Sequence, residues 1–175
     1  MRPVRYNVAA SLDGYIAGPN GEYDWIPNDP AVDFEAIFAR VDTVLLGRHS
    51  YELTRRAGAP WRRGNRVYVF SRTLRPADHP DVTVISDDAT AVVSALRHEA
   101  GSGEIWLFGG GVLFGTLLAA GQVDRVEVTI VSVLLGGGVP LLPAGMTRAA
   151  LVLRDSRVYP SGMVGLEYTV PGAAA

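Results

Sequence analysis

Short apolar runs, separated by stretches of helical periodicity, set the strongest limit on how this chain can fold. Val4–Ala10 reads as a strand, and Thr43–Leu46, Val67–Phe70, Val82–Ile85 and Ile105–Phe108 read as buried strands. Between them Phe34, Ile37, Phe38 and Val41 recur on one helical face. Ala89, Val92, Val93, Leu96 and Ala100 do the same, behind a cap at Asp87 or Ser86 and ahead of a stop at Gly101. Strands alternating with helices predict a mostly parallel sheet covered on both faces. The last third changes pattern. Val126, Val128 and Ile130 alternate with Glu127 and Thr129, and Val164, Leu166, Tyr168 and Val170 alternate with Gly165, Glu167 and Thr169. With Leu151–Val158 they predict antiparallel strands closing the sheet, and Pro160-Ser161-Gly162 is their hairpin turn. The expectation is one α/β domain over residues 1–171, with a frayed tail at 172–175.

Composition narrows the chemistry. There is no cysteine, which excludes disulfides, thiolate nucleophiles and cysteine-ligated metals. There is no lysine either, which excludes a Schiff-base lysine and the lysine of a P-loop. The net charge of −2 supplies no basic excess for a phosphate backbone, so nucleic acid is not an expected partner. The uncharged stretches Ile105–Val123 and Val128–Thr147 contain Gly109-Gly110-Gly111 and Gly136-Gly137-Gly138, too many breaks for a lipid-spanning helix. The start, Met1 to Tyr6, lacks the apolar run of a signal peptide, so the expected location is the cytoplasm, with no membrane partner.

Two strand-to-helix junctions are rich in glycine and polar groups. At Leu46-Gly47-Arg48-His49-Ser50-Tyr51-Glu52 a strand ends on Gly47, and the amides opening the next helix favour an anion. Arg48 adds a fork of donors, and Ser50 adds a hydroxyl that caps the helix or binds phosphate. The plainer reading is a capped helix with a surface arginine. At Phe108-Gly109-Gly110-Gly111-Val112 a buried strand runs through three glycines into an apolar helix. Each glycine costs roughly 1 kcal/mol against alanine in a helix, so the run implies a turn or a backbone close to a ligand. It is not the G-x-G-x-x-G fingerprint, because the last position is Phe114. A third patch, Ser71-Arg72-Thr73, follows the strand Val67–Phe70 at the edge where a ribose 2′-phosphate could sit; an ordinary polar loop is the alternative. No Gly-x-Ser-x-Gly elbow is present, and His49, His79 and His98 lack metal-ligand spacing, so no metal is expected.

The run Gly47 to Glu52, followed by Phe108 to Phe114 and Asp124-Arg125-Val126-Glu127-Val128-Thr129, resembles the dihydrofolate reductase superfamily. The segments Ala9-Ala10-Ser11-Leu12-Asp13-Gly14-Tyr15-Ile16-Ala17 and Val133 to Gly138 are similar to the reductase domain of riboflavin biosynthesis. The resemblance implies a three-layer α/β/α fold and an NADPH-dependent reductase acting on a small heterocyclic or pterin-like substrate. It implies that Gly47, Arg48, His49 and Ser50 hold cofactor phosphates, with Ser71 and Arg72 near the 2′-phosphate. Gly110, Gly111 and Val112 then approach the pyrophosphate, and Ala10 and Ile16 flank the nicotinamide.

For the proton that accompanies the hydride, the resemblance offers Asp33, with Asp29 second, and Thr129 as the strand threonine beside the acid. Asp33 as a plain helix-start carboxylate is the alternative, and Asp13 reads as shaping the turn before Gly14. Two departures from the riboflavin reductase stand out. Phe108 occupies the position usually acidic before the paired glycines, and Arg55-Arg56-Ala57-Gly58-Ala59-Pro60-Trp61-Arg62-Arg63 replaces the run that binds ribose phosphate. A non-catalytic dinucleotide-binding module and a true dihydrofolate reductase are the competing readings. Leu151-Val152-Leu153 could pair across a homodimer, as in the riboflavin-type relatives, or fill the core.

Overall fold

Strand β1 (Val4–Ser11) lies inside an eight-stranded sheet, with a short strand β2 (Tyr15–Ala17) after it and helix α1 (Phe34–Ala39) beyond a long loop. Then come β3 (Val41–Gly47), α2 (Arg48–Ala57), β4 (Arg66–Phe70), β5 (Thr83–Ile85), α3 (Ala89–His98), β6 (Glu104–Gly109) and α4 (Gly111–Ala119). The chain finishes with β7 (Arg125–Val131), β8 (Val139–Pro140), β9 (Val152–Val158) and β10 (Val164–Thr169). This computed structural model describes residues 1–58, 61 and 64–172. Ala59, Pro60, Arg62, Arg63 and most of the tail read as frayed (173–175) lie outside the described residues.

The sheet order is β5-β4-β3-β6-β1-β7-β10-β9, and β2 pairs with β8 in a separate ribbon. The strands from β5 to β7 run parallel. Strand β10 runs antiparallel to both β7 and β9, so the expected antiparallel end is present. Strand β7, grouped with that end by its alternation, itself pairs parallel with β1, from Arg5↔Arg125 to Ser11↔Val131. The hairpin turn forms as expected: Tyr159 donates to the Met163 carbonyl, and Gly162 (φ 84°) donates back to that of Tyr159.

Alternation along the central strands sorts side chains onto two faces. Val44, Leu46 and Trp106 pack with Tyr51 of α2 and Phe38 of α1. Leu45, Ile105 and Leu107 pack on the opposite face with Val93 and Leu96 of α3 and Phe114 and Leu117 of α4. The result is three layers, with Leu45, Leu107 and Leu117 fully buried; each such side chain contributes about 2 kcal/mol. Two boundaries differ from the periodicity. Val41 opens β3 rather than extending α1, because its backbone pairs with Glu104 of β6. Helix α3 is capped by Asp88, whose carboxylate accepts from the Thr90 amide, and not by Asp87 or Ser86. No helix among the described residues is long and apolar enough to cross a membrane.

Buried arginines fasten the edge of the sheet where the parallel strands begin. Arg2 pairs with Asp42 and donates to Thr43 Oγ1 at 2.9 Å. Arg97 donates to Asp124 Oδ1 at 2.8 Å, and the other oxygen of Asp124 accepts from the Val4 amide at 2.6 Å. The opposite edge, where the parallel strands end, is thereby left to loops and helix starts.

Candidate functional site

Strands β3 and β6 are neighbours, but their connections part. Helix α2 leads outward to β4, and α4 leads the other way, past β1, to β7. That divergence is the topological switch point, where open α/β sheets bind ligands beyond the strand ends. Both glycine-rich junctions open there. Gly47 is the N-cap of α2 and Gly110 the N-cap of α4, and neither helix has a side-chain cap or an acidic residue in its first turn.

The two helix starts adjoin. Leu46 registers with Gly109, and a Cβ on Gly47 would lie 3.6 Å from the Gly110 nitrogen. The Ser50 hydroxyl sits 3.3 Å from where a Gly110 side chain would begin and 3.5 Å from the same point on Gly109. Ser50 therefore faces the glycine pair rather than capping α2. Gly109 adopts φ 148°, open to glycine, and the Gly109–Gly110 peptide is cis. Uncapped amides, two helix dipoles and a hydroxyl thus converge on one mouth, which fits a doubly phosphorylated ligand. Gly111 has a different reason to be glycine: a side chain there would meet the carbonyl oxygens of Pro140 and Leu141 at 2.7 and 3.0 Å. Its missing side chain makes room for β8.

The flanking residues gather on the same edge. Arg48 is half exposed and shares its guanidinium with Glu52 at 3.1 and 3.2 Å, while His49 and Val112 are exposed. Ser71 follows Phe70, the register partner of Gly47. Its hydroxyl accepts from the Thr73 and Leu74 amides at 3.2 and 3.1 Å, so it builds the turn that holds Arg72 out in solvent. Ala10 is fully buried near the end of β1, and Ile16 packs half-buried against the same core. Arg55 and Arg56 line a groove of about 470 Å³ on the flank of α2 with Tyr51, Glu52, Leu74 and His79. There Tyr51 and Arg55 both hydrogen-bond His79 Nδ1, at 3.0 and 3.1 Å. Among the described residues no group of three His, Cys, Asp or Glu could hold a metal.

Both candidate acids are engaged by backbone amides. Asp33 is the N-cap of α1, exposed, its Oδ1 accepting from the Ala36 amide at 2.9 Å. Thr129 stands half-buried on β7 between Ala9 and Gly165, and no hydrogen bond joins it to Asp33 among the described residues. Asp29 is buried and accepts from the Ala31 and Ser161 amides at 2.8 and 2.9 Å. Hydrogen bonding from the Ser161 side chain, and then from those amides, holds its carboxyl below the usual range. Asp29 is an ionised tie between a loop and the β9–β10 hairpin. Glu127, which alternates with the apolar residues of β7, is buried. Asn7 donates to it at 2.6 Å and Arg5 pairs with it at 3.1 Å, and burial raises its pKa. Nothing in the local pattern separates Glu127 from Glu167, its exposed register partner.

The fold is that of the RibD-like reductase domains. Residues 2–164 match the RibD C-terminal domain, and the chain belongs to that family. It is 33% identical to the uncharacterized protein YyaP of Bacillus subtilis, over 96% of this chain and 95% of that one. A putative riboflavin biosynthesis protein from Shewanella has a similar structure, with a TM-score of 0.82, 28% identity and coverage of 97% of this chain and 99% of the other. The riboflavin biosynthesis protein RibD of Mycobacterium tuberculosis is 29% identical over 78% of this chain, which spans 44% of that longer protein.

Proposed function

We propose that this chain is an NADPH-dependent reductase of the riboflavin-reductase-like branch, transferring hydride to a small heterocyclic or pterin-like substrate. The paired glycine mouths of α2 and α4 carry this reading: their free amides clasp the coenzyme pyrophosphate across the switch point. Bound NADPH would supply the hydride. The protein's part is to hold the phosphates with Gly47 to Ser50 and Gly110 to Val112, to meet the 2′-phosphate with Arg72, and to keep water from the nicotinamide. Exposed Leu12, Phe34, Val112 and Leu134 belong to the loops and first helical turns that follow β1, the long loop, β6 and β7. Apolar side chains there suit a flat heterocycle more than a charged sugar phosphate.

The hydrogen bonds of Asp33 and Asp29 favour one competing reading, a dinucleotide-binding module without turnover, because both carboxylates are spent on backbone amides. NADPH binding followed by its oxidation with a panel of pterins, aminopyrimidines and dihydrofolate separates the three. Acceleration by an aminopyrimidine or pterin supports the branch proposed, dihydrofolate alone supports a dihydrofolate reductase, and binding without turnover supports the module. A homodimer in the cytoplasm is the proposed assembly and setting. Strand β9 is exposed along its length at the end of the sheet and presents Val152, Leu153 and Val158, with Leu151 exposed just before it. Sedimentation equilibrium showing a monomer at micromolar concentration would remove the dimer.

A further inference from the structure

The turn between β1 and β2 and the glycine-rich segment after β7 are far apart in sequence and fastened together in space. The fastening is Asp13. Its Oδ1 accepts from the Leu135 amide at 3.1 Å and its Oδ2 from the Gly136 amide at 2.7 Å. The buried Ser11 hydroxyl donates to the same carboxylate at 2.6 Å and accepts from the Tyr15 amide at 2.9 Å, which anchors the acid to the end of β1. Backbone bonds continue the seam: Leu12 donates to the Val133 carbonyl and Leu141 to that of Gly14, each at 2.9 Å.

At its far end the segment packs on β2, where a side chain on Gly138 would meet the Ala17 carbonyl oxygen; at its middle Asp13 is the tie. Gly136 and Gly138 adopt φ of 70° and 140°, no heavy atom comes near where a Gly137 side chain would begin, and Leu134 is exposed. Ordering each residue costs roughly 1–2 kcal/mol of backbone entropy, more for glycine, and the amide-to-carboxylate bonds offset part of that cost at Leu135 and Gly136. The segment runs directly into β8. There Val139 and Pro140 pair with Ala17 and Tyr15 of β2, the strand that carries Ile16. A displacement at Gly136 is therefore passed through β8 to β2.

We propose that Asp13 is a positioning residue whose carboxylate clasps the Leu135–Gly136 backbone and so holds the β2–β8 ribbon against the nicotinamide half of the coenzyme site. The proposal rests on the coenzyme reading above. Asp13 touches no reacting atom in it; it fixes the wall that Ile16 and Pro140 belong to. The Ser11 hydrogen bond first, with the Gly136 and Leu135 amides, pulls the Asp13 carboxyl down to about 2, so the clasp is ionised throughout the neutral range.

The test uses two probes on the intact chain, NADPH and adenosine 2′,5′-bisphosphate, which carries the adenosine phosphates without the nicotinamide. Wild type should bind both. Asp13→Ala should weaken NADPH about tenfold while leaving the bisphosphate within about twofold. Amide hydrogen exchange should rise across residues 132–141 and stay unchanged across 47–51. Asp13→Asn, which keeps one carbonyl acceptor, should fall between. Unchanged NADPH affinity in Asp13→Ala, or equal losses for both probes, would overturn the clasp. Wild-type protein that binds neither probe overturns the coenzyme reading, and the clasp falls with it.

Discussion

Helices α1 and α3 begin behind aspartates, whereas α2 and α4 begin behind glycines. Asp33 and Asp88 each spend a carboxylate oxygen on an amide of the first turn. Gly47 and Gly110 spend nothing, and the amides behind them stay free. A side-chain cap is worth about 1 kcal/mol, so forgoing it at the two helices that share the switch point, and there alone among the four, has a physical meaning. In the proposed function the positive helix ends serve an external anion. On that reading the aspartate-capped pair contributes stability and the glycine-capped pair binds ligand.

The sharpest way to break this contrast is to fill the mouth. Gly110 has φ −92° and ψ −172°, which any residue can adopt, but a Cβ there stands 3.3 Å from the Ser50 hydroxyl, where the phosphates would lie. Gly110→Val should lower NADPH affinity by at least about 100-fold while the far-ultraviolet spectrum and thermal midpoint stay near wild type. Unaltered titration would separate α4 from the coenzyme. A second substitution exchanges the two kinds of helix start. Gly47→Asp gives α2 a cap of the α3 kind and places a carboxylate among its amides. Stability should hold or rise by a few tenths of a kcal/mol, while NADPH affinity falls on the order of 30-fold through phosphate repulsion. Its mirror, Asp88→Ala, should cost about 1 kcal/mol in urea unfolding and leave the NADPH titration alone.

Arg72 tests the outer limit of the glycine-capped region. It stands exposed on the turn that Ser71 organises, two residues beyond Phe70, the partner of Gly47. Arg72→Ala should weaken NADPH about tenfold and NADH less than twofold, since only NADPH carries the 2′-phosphate. Equal losses would remove Arg72 from that role and leave the coenzyme preference to other residues.

What was legible in the chain follows the same division. Glycine after a buried strand has a local cause, so both strand-to-helix junctions could be read from residues 47 and 109–111, while the strand order needed the pairing itself. Caps and boundaries were less clear because several acids compete: Asp87 and Asp88 stand side by side, and only backbone geometry selects Asp88. Val41 suits a helix face as well as a strand, and its pairing with β6 decides the matter. The carboxylates were the least legible. Asp29 meets Ser161, Asp13 meets Gly136 and Glu127 meets Arg5, each across more than a hundred residues, so no local pattern shows which acid is tied and which is free.

Asp29 gives the smallest effect and the one with a pH signature. Its carboxyl is held below the usual range in the folded protein, so the tie between the long loop and the β9–β10 hairpin requires the ionised form. A depressed native pKa means that its stabilisation is fully present above the unfolded value of about 3.9 and is lost as pH falls through the lower native one. Asp29→Asn should therefore unfold more readily than wild type at pH 7, with the gap closing as both are taken to pH 2. Urea midpoints at the two pH values measure it. A gap that persists unchanged at pH 2 would mean that Asp29 acts through shape and not through charge, and that the hairpin is held by contacts other than the carboxylate. In either case the Gly110→Val variant should keep the pH dependence of wild type, because it adds no carboxylate to the start of α4.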